Sequence, residues 1–257
     1  MINITLPDGS IKKYNEVVSG LKIAESISQS LAKNSLVIKI NDKLQDLSTN
    51  IDYDCSVEII TNKSHEALDI IRHDAAHVMA EAVQELFPKT KVAIGPTIKD
   101  GFYYDFDSDV SFSPDDFKKI EKKMSQIIKR NNKFVREIWD RKKALKFFED
   151  KNEIYKVEII KSLNEDEDLT IYKQGEWVDL CRGPHSISTG FINYSFKIMK
   201  IAGAYWRGNS NNKMLQRIYA TAWIKESDLI DYINRITEAE KRDHRKLGNE
   251  LELFHIQ

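Results

Sequence analysis

The chain has 257 residues, 41% of them hydrophobic and 31% charged, a balance that can build a core and excludes broad disorder. Lysine plus arginine is 39 and aspartate plus glutamate is 40, a formal net charge of -1. Bulk charge therefore gives no argument for a nucleic-acid partner, which would need a local basic surface.

Two distant cysteines, Cys55 and Cys181, do not make a disulfide framework and fit a reducing compartment. The opening MINITLPDGS has no basic-then-apolar signal, and no run approaches the ~18 apolar residues of a membrane span. The expectation is a cytoplasmic protein with no membrane partner.

Ile2, Ile4 and Leu6 alternate as in a half-buried strand, Pro7-Asp8-Gly9 is turn chemistry, and Ile11 to Tyr14 predicts the returning strand. Ile23, Ile27 and Leu31 recur every four residues and predict one short helix. Leu36 to Ile40 reads as a strand, Asn41-Asp42 as a turn, and Ser56 to Ile60 as a last strand. Hairpin, helix and further strands are the element order of a ubiquitin-like β-grasp unit over residues 1–61, its helix covering one sheet face.

The stretch Arg72 to Phe87, RHDAAHVMAEAVQELF, predicts a helix. At ~100° per residue, Ile71, Ala75, Val78, Met79, Ala82 and Leu86 share an apolar sector. His73 and His77 fall roughly opposite, one turn apart, and Asp74, Glu81 and Glu85 form a third, acidic sector. The small Ala76 and Ala80 beside the histidines leave room for a ligand, and a solvated helix face would look the same.

From Gly95-Pro96 the chain turns aromatic, and Phe102, Tyr104 and Phe106 predict a strand with one packed face. Ser113-Pro114-Asp115-Asp116 is a helix start. The helix it opens sets Phe117, Ile120, Met124 and Ile127 against a basic face of Lys118, Lys119, Lys122, Lys123, Lys129 and Arg130, which reads as solvated or as a phosphate contact. Residues 140–163 read as helical, Thr170 to Tyr172 and Trp177 to Leu180 as strands about a Gln174-Gly175 turn, and Lys225 to Glu250 as one long charged helix. The ending LELFHIQ reads as the entrance to another domain.

Four residues carry chemistry. His73 and His77 make H-x3-H on a helix; Cys181 and His185 make C-x3-H in CRGPH, where Gly183-Pro184 implies a tight turn. Imidazole nitrogen and thiolate sulfur are the ligands zinc prefers, and both pairs come from a chain with only six histidines and two cysteines. Asp179 precedes Cys181 by two and points the same way from an extended strand. Lys156 is a base or carbonyl polariser if a cleft buries it, and otherwise an exposed lysine; Tyr104 offers a hydroxyl to a pocket wall. GNSNNK at 208–213 is not a P-loop, and neither G-x-S-x-G nor H-E-x-x-H occurs.

HDAAHVMAEAV, GPTIKDGFYYDF, DLCRGPHSISTG, AYWRGNSNNKMLQRIYATAW and AEKRDHRKLGNELELFHI, in this order, resemble the N-terminal half of bacterial threonyl-tRNA synthetases. The resemblance implies an α+β architecture in three parts: a β-grasp TGS domain at 1–61, a larger α/β editing domain at 62–224, and a linker helix with the start of a catalytic domain at 225–257. It implies proofreading hydrolysis of serine from tRNA(Thr), with the tRNA 3' end and the enzyme's catalytic and anticodon-binding domains as partners. His73, His77, Cys181, His185, Lys156 and Asp179 would line the hydrolytic pocket, and Tyr104, Gly95 and Pro96 would form its substrate-end wall. His73 or Lys156 would activate water, without a required cofactor. Zinc on His73, His77, Cys181 and His185 stays open, because alanyl-type relatives bind it with a similar set. Two alternatives stand beside this reading: a zinc-dependent hydrolase of the alanyl-editing type, and a tRNA-binding module without catalysis.

Overall fold

The computed structural model describes residues 1–193 and 195–242. Its first unit is a mixed five-stranded sheet. The hairpin β1 (Ile2–Thr5) and β2 (Ile11–Tyr14) is followed by a short β3 (Val18–Ser19), helices α1 (Gly20–Ile27) and α2 (Gln29–Asn34), β4 (Ser35–Ile40), β5 (Lys43–Asp46), a short β6 (Asn50–Ile51) and β7 (Cys55–Thr61). The order is β2-β1-β7-β4-β5, with β1 and β7 parallel and the other pairs antiparallel, the expected β-grasp arrangement. The expected single helix is two. Ser28 leaves the helix at φ -164 and ψ 150, and its hydroxyl accepts from the Leu31 N–H, capping α2. The Asn41-Asp42 turn has φ of 44 and 65, the left-handed pair a two-residue hairpin needs, and it starts β5, a strand the pattern does not announce.

The rest of the chain is built on α3 (Ala67–Leu86), of whose 20 residues 14 are buried, so apolar and charged faces alike are covered. The first unit packs on it through Leu36, Val37 and Ile60. On it also lies an antiparallel sheet of order β14-β15-β10-β8: β8 (Lys91–Val92), β10 (Gly101–Asp107), β14 (Phe196–Tyr205) and β15 (Met214–Ala222), with β9 (Thr97–Ile98) pairing β10. Helix α4 (Pro114–Arg130) begins at the predicted helix start, where Ser113 and Asp116 form a capping box, and buries Ile120, Met124 and Ile127. Three of its six basic residues are tied to acids: Lys119 to Asp116, Lys123 to Glu85, and Arg130 to Glu81 and Glu85. That favours a solvated face over a phosphate contact for half of it.

A second antiparallel sheet, β11 (Phe134–Trp139), β12 (Leu169–Gln174) and β13 (Trp177–Leu180), is covered by α5 (Arg141–Asp150) and α6 (Ile154–Ser162). The helical stretch expected at 140–163 is thus broken, where Asn152 takes a left-handed φ of 57. The expected long helix is α7 (Glu226–Lys241); its continuation to Glu250, the junction beyond Arg242 and the LELFHIQ ending lie outside the described residues. No helix among the described residues is long and apolar enough to cross a membrane.

Candidate active site

Helix, strand and turn meet at one cleft of about 520 Å³. Helix α3 brings His73 and His77, β10 brings Tyr104, α6 brings Lys156, and the end of β13 brings Asp179 and Cys181. Asp179 and Cys181 share a face because alternate residues of an extended chain do; the Cys181 N–H donates to the Thr170 carbonyl at 3.1 Å, which continues the ladder past β13. Gly95 and Pro96 close the wall beside Tyr104. A Cβ on Gly95 would stand 2.1 Å from the Tyr104 ring, so the absence of a side chain there is what admits the tyrosine.

Eight of the nine residues singled out in the sequence line this cleft, and His185 does not. It is 1% exposed and sits behind Cys181, its Nε2 3.5 Å from the sulfur. Its ring stacks on Phe134 at 4.7 Å, meets Tyr172 edge-on at 4.4 Å, and pairs through Nδ1 with Asp74 Oδ1 at 2.7 Å. The expectation that all four quartet members form the pocket lining is corrected in this respect: three face the cleft and His185 braces them from behind. The turn between Cys181 and His185 needs its glycine, since Gly183 has φ +70 and a Cβ would lie 2.0 Å from the Tyr172 hydroxyl.

Asp74 is the residue that sequence reasoning misses. It falls in the acidic sector of the helix with Glu81 and Glu85, yet it is fully buried and orients His185. Its position directly after His73 is the only signal. Glu81 is likewise buried, held by Arg130 at 3.1 Å and by a short bond from Gln174.

Lys156 is 2% exposed, so the exposed-lysine reading is overturned. Its Nζ lies 2.5 Å from Asp179 Oδ1 and donates to the Tyr104 hydroxyl at 3.1 Å, while that hydroxyl donates to Asp179 Oδ2 at 2.8 Å. Asp179 Oδ2 is also 3.8 Å from His77 Nε2. Cation, carboxylate and phenol therefore form one closed, dry network beside the imidazoles.

Burial dominates the proton affinities here. It lowers His73 to about 4, with His185 adding to the effect, lowers His185 to about 4, and lowers His77 well below the usual value. All three imidazoles are neutral at neutral pH. Burial raises the Cys181 thiol to about 12, so it is protonated and a poor nucleophile, and it raises Asp74 to about 7. Both shifts in the Asp74–His185 pair have one origin: a dry environment disfavours charge on either partner.

The same residues suit a metal. The ligand atoms of His73, His77, Cys181 and His185 lie within 4.8 Å of one another, an outer limit above the ~3.4 Å separations of a tetrahedral zinc site, while Cys181 Sγ is already 3.1 and 3.5 Å from the Nε2 atoms of His73 and His185. Asp74 on His185 Nδ1 is the carboxylate–histidine pairing that orients a zinc ligand, and buried His77 Nδ1 has no hydrogen-bond partner among the described residues. The donor set fits zinc.

Comparison with known proteins agrees with the sequence pattern. The TGS domain family model matches residues 2–61, and the model described as "Threonyl and Alanyl tRNA synthetase second additional domain" matches residues 169–219. The second match covers β12, β13, the Cys181–His185 turn and most of the β14–β15 hairpin. The chain is 56% identical over 257 residues to a threonine–tRNA ligase of Rickettsia typhi, covering 100% of this chain and 40% of that one. It is 56% identical over 253 residues to that of Pelagibacter ubique and 56% identical over 256 residues to that of Rhizobium etli, covering 40% and 38% of their lengths.

Proposed function

The chain belongs to the threonine–tRNA ligase family, spanning about 40% of the length of the curated relatives it matches, and on that premise we propose that it removes serine from mischarged tRNA(Thr). Residues 62–224 are the hydrolytic unit in this reading, and residues 225–257 lead into the catalytic part of the enzyme. The observation that carries it is the convergence of His73, His77, Cys181 and the Lys156–Asp179 pair on one cleft.

Serine keeps the hydroxyl of threonine and lacks one methyl, a difference worth only about 1–3 kcal/mol in a binding pocket. A second site that hydrolyses the smaller ester supplies the missing discrimination. In the cleft, Tyr104 and the Gly95-Pro96 wall bound the side-chain end and exclude the extra methyl.

Water held by neutral His73 attacks the ester carbonyl. His73 takes the water proton as the oxyanion forms, and the ammonium of Lys156, fixed by Asp179 and Tyr104, stabilises that charge in a dry setting. The carbon–oxygen ester bond then breaks, and the proton passes to the 3'-terminal ribose oxygen as it leaves. Neutral His77, beside Asp179, orients the substrate amine or the water; Cys181 shapes the floor rather than forming a covalent intermediate.

Zinc, when bound, would be held by His73, His77, Cys181 and His185 and would supply Lewis-acid polarisation. That donor set favours the alanyl-type reading as the second choice. Deacylation of Ser-tRNA(Thr) against Thr-tRNA(Thr), with and without a chelator, separates the readings. Loss of serine alone, indifferent to chelator, is expected. Loss abolished by chelator would move the chain to the zinc-dependent class. Hydrolysis of neither ester, with tRNA bound in a salt-dependent way, would leave the binding module.

A further inference from the structure

The cleft region and the β-grasp unit are joined by the carboxylate of Asp46. Asp46 ends β5, at the edge of the first sheet, and is 7% exposed. Its two oxygens point out of the β-grasp unit. Oδ1 accepts from the His185 N–H at 2.8 Å, and Oδ2 accepts from the Tyr172 hydroxyl at 2.8 Å, across 139 and 126 residues of sequence.

Both partners lie behind Cys181, on the side away from the cleft. Tyr172 presses edge-on against the His185 ring at 4.4 Å, and its hydroxyl fills the space a Cβ of Gly183 would need. His185 is in turn 3.5 Å from the Cys181 sulfur, which also accepts from the Gly183 N–H at 3.3 Å and lies 3.1 Å from His73 Nε2. A chain of contacts thus runs from a side chain of the β-grasp unit, through the Cys181–His185 turn, to the imidazole at the cleft.

A carboxylate buried against another unit is costly unless both oxygens are satisfied. Here both bonds go to the turn and the tyrosine packed on it, so the turn is fixed in one place. A catalytic constellation tolerates about 0.5 Å of error, and a wall set by such contacts meets that demand. We propose that Asp46 is a positioning residue for the ester hydrolysis: the β-grasp unit serves the cleft by clamping the Cys181–His185 turn, without touching substrate. This rests on the hydrolytic reading above.

The test compares Asp46→Ala, Asp46→Asn and Asp54→Ala in Ser-tRNA(Thr) deacylation and in thermal melting, using the whole chain. Asparagine keeps an acceptor for the His185 N–H and offers its amide N–H to the Tyr172 hydroxyl, so it preserves the clamp. Asp54 serves as control: it binds Asn3 within the β-grasp unit at 2.7 and 2.8 Å, away from the turn. The expected result is a fall in kcat of tenfold or more for Asp46→Ala with KM within twofold. Asp46→Asn should lie within threefold of wild type, and Asp54→Ala should match it. Wild-type kcat in folded Asp46→Ala, or an equal fall in Asp46→Asn, would overturn the proposal. If Asp46→Ala does not fold, Tyr172→Phe, which removes one of the two contacts, takes its place; unchanged kcat there would overturn it equally. A wild-type chain that hydrolyses no ester would instead fail the hydrolytic reading.

Discussion

Replacing Lys156 with methionine tests the site most directly, because it separates stability from chemistry. Lys156 and Asp179 are 2% exposed and joined at 2.5 Å. Methionine fills the space and removes the charge, leaving Asp179 buried without its cation. Breaking such a pair from one side costs about 3–5 kcal/mol. Asp179 retains bonds from the Tyr104 hydroxyl and the Leu180 N–H, both at 2.8 Å, so the lower end, about 3 kcal/mol, applies here. At ~2–4 °C per kcal/mol for a chain of this size, the melting temperature falls by roughly 6–12 °C. The double variant Lys156→Met/Asp179→Asn removes both charges and should return to within about 1 kcal/mol of wild type. Deacylation, which in the proposed mechanism uses the cation, should stay at least 100-fold down in both. Urea unfolding and single-turnover deacylation on the three proteins decide it. A single variant within about 1 kcal/mol of wild type, or a double variant no more stable than the single, would refute the buried-pair argument. The repulsion Lys156 exerts on protonated His77 disappears in the single variant, so His77 should also take up a proton more readily, visible in its imidazole nitrogen shifts.

The same geometry sets other outcomes. His73→Ala should lower seryl-ester hydrolysis by about 10²–10⁴-fold, the range of a lost general base, and intact hydrolysis would remove His73 from its role. Incubation with a chelator should leave the deacylation rate unchanged; a rate that falls and returns with added zinc would reassign the quartet as a metal centre. Burial holds His73 at about 4, below its unfolded value, so the unfolded chain binds the extra proton between pH 4 and 6.5. The stability His73 contributes is full above pH 6.5 and is lost as the pH falls to about 4. In His73→Gln the unfolding free energy should therefore depend less steeply on pH in that window, by up to ~1.4 kcal/mol per unit, and an unchanged slope would show that desolvation does not hold the imidazole neutral.

Local rules recover what local chemistry determines. The hairpin turns, the helix start at Ser113 and the alternation of Phe102, Tyr104 and Phe106 are dictated by neighbours a few residues away, and each stands where the pattern puts it. Lys156 shows the limit. Nothing in YKVEII distinguishes a buried lysine from an exposed one, because its partner, Asp179, arrives from a strand 23 positions later. Strands β14 and β15 escape the pattern for a different reason. A register shift between Ile198 and Lys200 breaks the alternation of the first, and the second packs small Ala220 and Ala222 into the main core, so neither looks like a strand of large alternating residues. His185 belongs with Cys181, as the motif implies, but on the other side of it from the cleft, since a motif spacing carries no information about which ligand faces solvent.

The burial of α3 on every face makes its length as informative as its composition. Each added or deleted residue rotates all later positions of the helix by ~100°. An insertion between Ile71 and His73 would swing both imidazoles from the cleft and at the same time carry Val78 and Met79 out of the main core. Cleft-facing and core-facing positions are phased on a single rod, and neither set can be reset alone. Diversification of this site can therefore proceed by exchanging side chains, or by changing the loops around Gly95 and Gly183, while the central helix keeps its residue count.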